Sequence, residues 1–198
     1  MIEEVAEHLY RLELTLPARR SAATNCYIIK GTERNLIIDP GHDHEECLTV
    51  MLSALQKLDI DLDRTDFFIT HSHGDHYGLL RKLIRDGASV FASCPDADVI
   101  RGKRSIPMLE DLSQFLEASG FPERDAVKIL PPFLLKEQTQ TTLQSASPVF
   151  RLMADGEWIE AGDYRFQCVH TPGHSDGHMC LYEPDKKLFI SGDHIIGT

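Results

Sequence analysis

Apolar and polar positions alternate from Tyr10 to Leu16, with Tyr10, Leu12, Leu14 and Leu16 on one side, the period of a half-buried strand. Cys26-Tyr27-Ile28-Ile29 and Leu36-Ile37-Ile38 flank the turn-rich stretch from Lys30 to Asn35 and predict a hairpin. The period then changes. Asp43 and Glu46 have capping-box spacing, and Leu48, Met51, Leu52, Leu55 and Leu58 recur at helical intervals, which predicts a helix of about three turns. Phe67-Phe68-Ile69-Thr70 predicts a short buried strand. Tyr77 to Arg85 predicts a helix with Leu79, Leu80, Leu83 and Ile84 inward, closed by Asp86-Gly87, and Val90-Phe91-Ala92 the next strand.

The pattern loosens at about 95–148, where Met108, Leu109, Leu112, Phe115 and Leu116 suggest one helix while Pro131-Pro132 and the polar run from Gln138 to Gln144 interrupt it. This stretch is read as a mostly helical insertion and a candidate lid. Val149 to Leu152, Tyr164 to His170, Met179 to Tyr182 and Leu188-Phe189-Ile190 are strand-like again. Strand-rich halves that also carry helices predict an α/β fold of sheets with helices on their outer faces, in one domain over 1–198.

Composition narrows the function classes. With 42% hydrophobic and 26% charged residues the chain has a globular profile. Its net charge of −11 repels phosphate backbones and anionic lipid, so a small-molecule substrate is favoured over nucleic acid, and no membrane partner is expected. The acidic start, Met1-Ile2-Glu3-Glu4, lacks the basic character of a signal peptide, and a cytoplasmic location is expected. The five cysteines, Cys26, Cys47, Cys94, Cys168 and Cys180, show no Cys-x-x-Cys and are read as buried reduced thiols. Oligomeric state leaves no signal in the sequence.

Chemistry concentrates in three loops that follow strands. Thr70-His71-Ser72-His73-Gly74-Asp75-His76 places three imidazoles and a carboxylate within six residues, a ligand set suited to zinc and also acceptable to iron or manganese. In Val169-His170-Thr171-Pro172-Gly173-His174-Ser175-Asp176-Gly177-His178, the Pro-Gly turn presents His174 as the ligand candidate. His170 and His178 are read as supporting or packing residues. Phe189-Ile190-Ser191-Gly192-Asp193-His194 ends a strand on a carboxylate that could join two ions. His42 and His44 are read as turn and capping residues, His8 as a surface residue, Tyr77 as a packing residue and the cluster from Arg101 to Arg104 as a solvated charge run.

Through His71-x-His73-x-Asp75-His76, the Thr-Pro-Gly-His segment ending at His174, Ser-Gly-Asp ending at Asp193 and the turn Asp39-Pro40-Gly41, the sequence resembles the metallo-β-lactamase superfamily, its glyoxalase-II-like group most closely. The resemblance implies an αββα sandwich with two metal ions, expected to be zinc, at one edge of the two sheets. It also implies roles: His71, His73 and His174 on the first ion, Asp75 and His76 on the second, and Asp193 bridging. The family usually supplies a further histidine well beyond the bridging aspartate, whereas this chain ends five residues after it, so the second half of the fold is expected to be incomplete.

Two cations close together would lower the pKa of a shared water, so that a hydroxide forms near neutral pH, with Asp75 as the catalytic carboxylate that orients it or carries its proton. Hydrolysis of a small-molecule thioester, ester or lactone is the expected reaction. Branches of the family that hydrolyse β-lactams generally lack an aspartate at the position of Asp193, and the flavodiiron branch carries glutamate at that of His73. RNA phosphodiester hydrolysis, or a non-catalytic metal-stabilised fragment, are the alternatives.

Overall fold

The computed structural model describes residues 2–16, 19–103, 118, 120 and 148–196. Most of the predicted insertion, including its helix around Met108 to Leu116, lies outside the described residues; its first turns form a helix at Cys94–Ile100.

Two sheets stack face to face. The first runs β1 (Ile2–Ala6), β2 (Leu9–Leu16), β3 (Arg19–Ile29), β4 (Asn35–Ile38), β5 (Thr65–Phe68), β6 (Ser89–Ser93) and β7 (Val149–Met153) in that spatial order. Pairing is antiparallel as far as β4 and parallel from β4 to β7. The change of direction follows from the connections, since the tight Lys30–Asn35 turn can only reverse the chain, while α1 (Glu45–Leu58) carries it back for a parallel return. The second sheet, in the order β11 (Leu188–Ile190), β10 (Met179–Glu183), β9 (Tyr164–His170), β8 (Trp158–Ala161), is antiparallel throughout.

The central strands of the first sheet are apolar on both faces because both are covered. Leu12, Leu14, Ile28, Ile37, Phe67, Ile69 and Val90 point to one side, where they meet Cys47, Met51 and Leu55 of α1 and Leu79, Leu80 and Leu83. Leu9, Ile29, Leu36, Ile38 and Phe68 point to the other and pack on Ile159, Phe166, Cys168, Met179 and Leu181 of the second sheet. The described layers are therefore helix, sheet, sheet. Trp158, Tyr182 and Phe189 stand exposed on the second sheet. No helix among the described residues is long and apolar enough to cross a membrane.

Several local expectations are corrected. The cap of α1 is His44, whose Nδ1 accepts from the Glu46 N–H at 3.3 Å. Asp43 is instead engaged by Arg81 and by Lys82 Nζ, the latter at 2.6 Å. Leu52 faces solvent, at 47% exposure, and Cys47 and Ala54 take the inward positions. The helix predicted from Tyr77 to Arg85 is two single turns, α2 (Gly74–Tyr77) and α3 (Leu80–Leu83). The break has a cause: the Leu79 N–H donates to Gly41 O at 2.8 Å in place of a carbonyl one turn back. Cys94 is exposed; the other four cysteines are buried. Strands β1 and β8 were not predicted. Each is short, and the acidic Ile2–Ala6 shows no clean alternation at its edge position.

Candidate metal centre

Loops that leave the carboxyl ends of parallel strands converge on one rim of the sheet, the usual ligand position in such folds. Asp39 follows β4, the segment from His71 to His76 follows β5, and Ser93 ends β6. From the facing sheet come the β9–β10 loop carrying His174 and the turn after β11 carrying Asp193. The ring nitrogens of His71, His73 and His174 lie within 4.8 Å of one another, as do ligand atoms of His71, His76 and Asp193. These are the positions singled out in the sequence. Asp75 stands at the edge, its Oδ2 4.0 Å from His76 Nε2 and thus beyond hydrogen-bond reach of it.

Asp39 organises the first loop. Its backbone adopts a left-handed conformation, φ 51°, which an aspartate tolerates better than most residues. This turns the carboxylate back under β5. There Oδ1 accepts from the Thr70 N–H at 2.8 Å, and Oδ2 accepts from the Thr70 hydroxyl at 2.6 Å and from His76 Nδ1 at 2.8 Å. The Thr70 hydroxyl has one proton, and Asp39 receives it. The contact of Thr70 Oγ1 with His71 Nδ1 at 3.1 Å is consequently accepted from an Nδ1–H, and the His71 tautomer is fixed.

His71 Nε2 is thereby left as a bare lone pair. It is buried and has no hydrogen-bond partner. Buried polar atoms are almost always paired, so an orphaned acceptor facing two further imidazoles fits a metal ligand, with the outer carboxylate support that metal-bound histidines ordinarily have. The residues present therefore fit a divalent cation. Zinc, iron and manganese all accept this donor set.

Electrostatics divide the cluster. Burial, and then the neighbouring imidazoles, push His71 far below its ordinary value, and burial with His174 also lowers His73. Both are neutral and ready to coordinate. For His76 burial acts downward too, but Asp39 and Asp193 together outweigh it and raise the pKa to about 10. Correspondingly, His76 Nε2 lies 3.2 Å from Asp193 Oδ1, and this imidazolium holds the Asp193 carboxyl below the usual carboxylate range against its own burial. Asp193 Oδ2 reaches His174 Nε2 at 3.3 Å, so the one carboxylate touches both groups of ligands.

His178 is a support residue. Fully buried, it accepts the Asp193 N–H on Nε2 at 3.1 Å and meets Thr171 Oγ1 through Nδ1 at 2.8 Å, so neither nitrogen is free for a cation. The approach requires Gly192 at its neighbour: a Cβ there would stand 2.8 Å from both His178 Nε2 and Thr70 Oγ1. His170 turns away, its Nε2 meeting Asp176 O at 3.1 Å. Thr70 and Asp39 were not among the predicted site residues. The available signal was the carboxylate directly after an apolar strand, in Asp39-Pro40-Gly41.

Comparison with known proteins finds matches to both the sequence and the fold. Residues 20–197 match the family described as Metallo-beta-lactamase superfamily. Hydroxyacylglutathione hydrolase GloC of Haemophilus influenzae is 26% identical over 171 residues, covering 85% of this chain and 65% of that protein. Acyl-coenzyme A thioesterase MBLAC2 of Homo sapiens is 26% identical over 175 residues, covering 85% and 57%. Atrochrysone carboxyl ACP thioesterase nsrC of Aspergillus novofumigatus is 24% identical over 198 residues, covering 100% and 46%. The chain thus spans roughly half to two thirds of the length of these relatives. Among solved structures, a metallo-beta-lactamase family protein of Thermus thermophilus superposes with a TM-score of 0.69 at 23% identity, over 96% of this chain and 60% of that one.

Proposed function

The chain belongs to the metallo-beta-lactamase superfamily, and from that premise we propose that it is a dinuclear metal-dependent hydrolase of small-molecule thioesters, with zinc as its metal. The observation that supports the metal reading is the orphaned, buried His71 Nε2 at the centre of the imidazole cluster. The substrate reading draws on the relatives: a hydroxyacylglutathione, an acyl-coenzyme A and an acyl carrier protein conjugate have an acyl thioester in common.

His71, His73 and His174 would hold one ion; His76 and Asp75 would hold the second, with Asp193 between the two. Bound ions would supply an activated water and Lewis-acid stabilisation of the developing oxyanion. The chain's own residues supply position and proton control. Asp39 and Thr70 lock the His71 ring so that Nε2 faces the cluster, and Asp39 orients the His76 ring from the far side. Asp75, whose side chain is 35% exposed, is the accessible carboxylate of the first loop and the group placed to accept a proton from an incoming water.

The test is turnover by the zinc-reconstituted chain on an S-acylglutathione, an acyl-coenzyme A, a lactone and an RNA, each with and without a chelator. Chelator-sensitive cleavage of the thioesters is expected. RNA cleavage with the thioesters untouched would replace this reading, and metal-dependent stabilisation without any turnover would make the chain a non-catalytic module.

A further inference from the structure

We propose that Asp96, outside the ligand cluster, is a positioning residue that sets the spacing of His71 and His73 and ties their loop to the His174 loop; the proposal rests on the metal reading of the site. Ser93 and Asp96 have the spacing of a helix capping box at the start of α4 (Cys94–Ile100), and the Ser93 hydroxyl accepts the Asp96 N–H at 3.3 Å as such a box requires. In an ordinary box the carboxylate returns to the backbone N–H of the capping residue. Here Asp96 Oδ1 reaches across the rim and accepts the Ser72 N–H at 3.1 Å, while Oδ2 accepts the Ser93 hydroxyl at 2.9 Å.

Ser72 is the residue between His71 and His73, so this bond fixes the peptide on which the separation of the two imidazoles depends. Asp96 is only 2% exposed. A cap alone needs no such burial, and a buried carboxylate that lost its donors would bear the full cost of desolvation.

An independent contact joins the second loop to the same pair. A Cβ on Gly177 would stand 2.1 Å from Ser93 Oγ and 2.4 Å from Asp96 Oδ2, so the backbone of the His174 loop rests directly on them. Gly177 is followed by His178, which holds the Asp193 N–H. One carboxylate therefore touches the His71–His73 loop through a hydrogen bond and the loop that supports His174 and Asp193 through a contact only glycine permits.

The experiment measures zinc affinity by competition with a chromophoric chelator, beside the melting temperature of the metal-free protein, for the 198-residue chain and four variants. Asp96→Ala should bind zinc roughly 10- to 100-fold more weakly, the loss typical of an outer partner of a metal ligand. Asp96→Asn should retain most of the parent's affinity, because its carbonyl still accepts the Ser72 N–H and its amide can donate to Ser93 Oγ. Gly177→Ala, which displaces the carboxylate without removing it, should also weaken binding. Ile100→Val, at a buried position of the same helix, should lower the melting temperature and leave zinc affinity unchanged. Parent-like affinity in both Asp96→Ala and Gly177→Ala overturns the proposal, as does a loss that Ile100→Val reproduces. A parent chain that takes up no zinc overturns the metal reading itself, and the proposal with it.

Discussion

The two ligand groups at the rim share His71 yet are prepared for a cation in opposite ways. In the first, His71, His73 and His174 are packed imidazoles touched by one carboxylate oxygen, Asp193 Oδ2 at His174, and burial keeps His71 and His73 unprotonated. In the second, His76 is clamped between Asp39 and Asp193 as an imidazolium, so the group is already satisfied by an internal ion pair. A cation entering the first group meets the unpaired Nε2 of His71 and has to break only the neutral hydrogen bond between His73 Nδ1 and His174 Nε2, 2.9 Å apart. A cation entering the second must displace a proton from His76, and the difference predicts sequential loading in which pH governs the second step.

The largest effect should come from the first group. His71→Ala, with His174→Ala beside it, should weaken zinc binding by more than the roughly 100-fold that loss of an outer partner can cost, as read by chelator competition. If His76→Ala weakened the tighter event equally, the division into two groups would be wrong. Next in size, Asp39→Asn should cost roughly 10- to 100-fold, since it disturbs the bonds that aim both His71 and His76.

The third prediction concerns protons. The folded pKa of His76, about 10, lies above its ordinary value of 6.5. The ion pair therefore stabilises the metal-free fold fully below about pH 6.5, and that contribution is lost as pH rises through about 10. Calorimetry of zinc binding in buffers of different ionisation enthalpy near pH 8 should show close to one proton released with the weaker event and little with the tighter. Equal release in both would remove the contrast. The smallest effect belongs to His42→Ala, whose buried Nδ1 has no partner to lose: stability and zinc affinity should stay within about 0.5 kcal/mol of the parent.

Most of the fold could be read from periodicity because the first sheet is buried on both faces: runs such as Ile37-Ile38 and Phe67-Phe68-Ile69 have few alternative structures. The strands that escaped, Ile2–Ala6 and Trp158–Ala161, are short and half exposed, where pattern is weakest. The candidate ligand histidines stood out because imidazoles crowd into short segments. Their supports were not. Asp39 and Asp96 lie 31 residues before and 24 after the residues they hold, and only the parallel pairing of β4, β5 and β6 brings those strand ends together. Capping shows the same limit. Asp43 has the sequence spacing of a cap, but Arg81 and Lys82, nearly forty residues on, claim its carboxylate and leave the cap to His44.

The most direct measurement is elemental analysis of the chain after zinc reconstitution, dialysed at pH 8 and at pH 6, beside His174→Ala. The account predicts about two ions per chain at pH 8, about one at pH 6, where a roughly 100-fold higher proton concentration competes with the second ion for His76, and a clear fall in the variant at both. No zinc retained by the parent at either pH would contradict it.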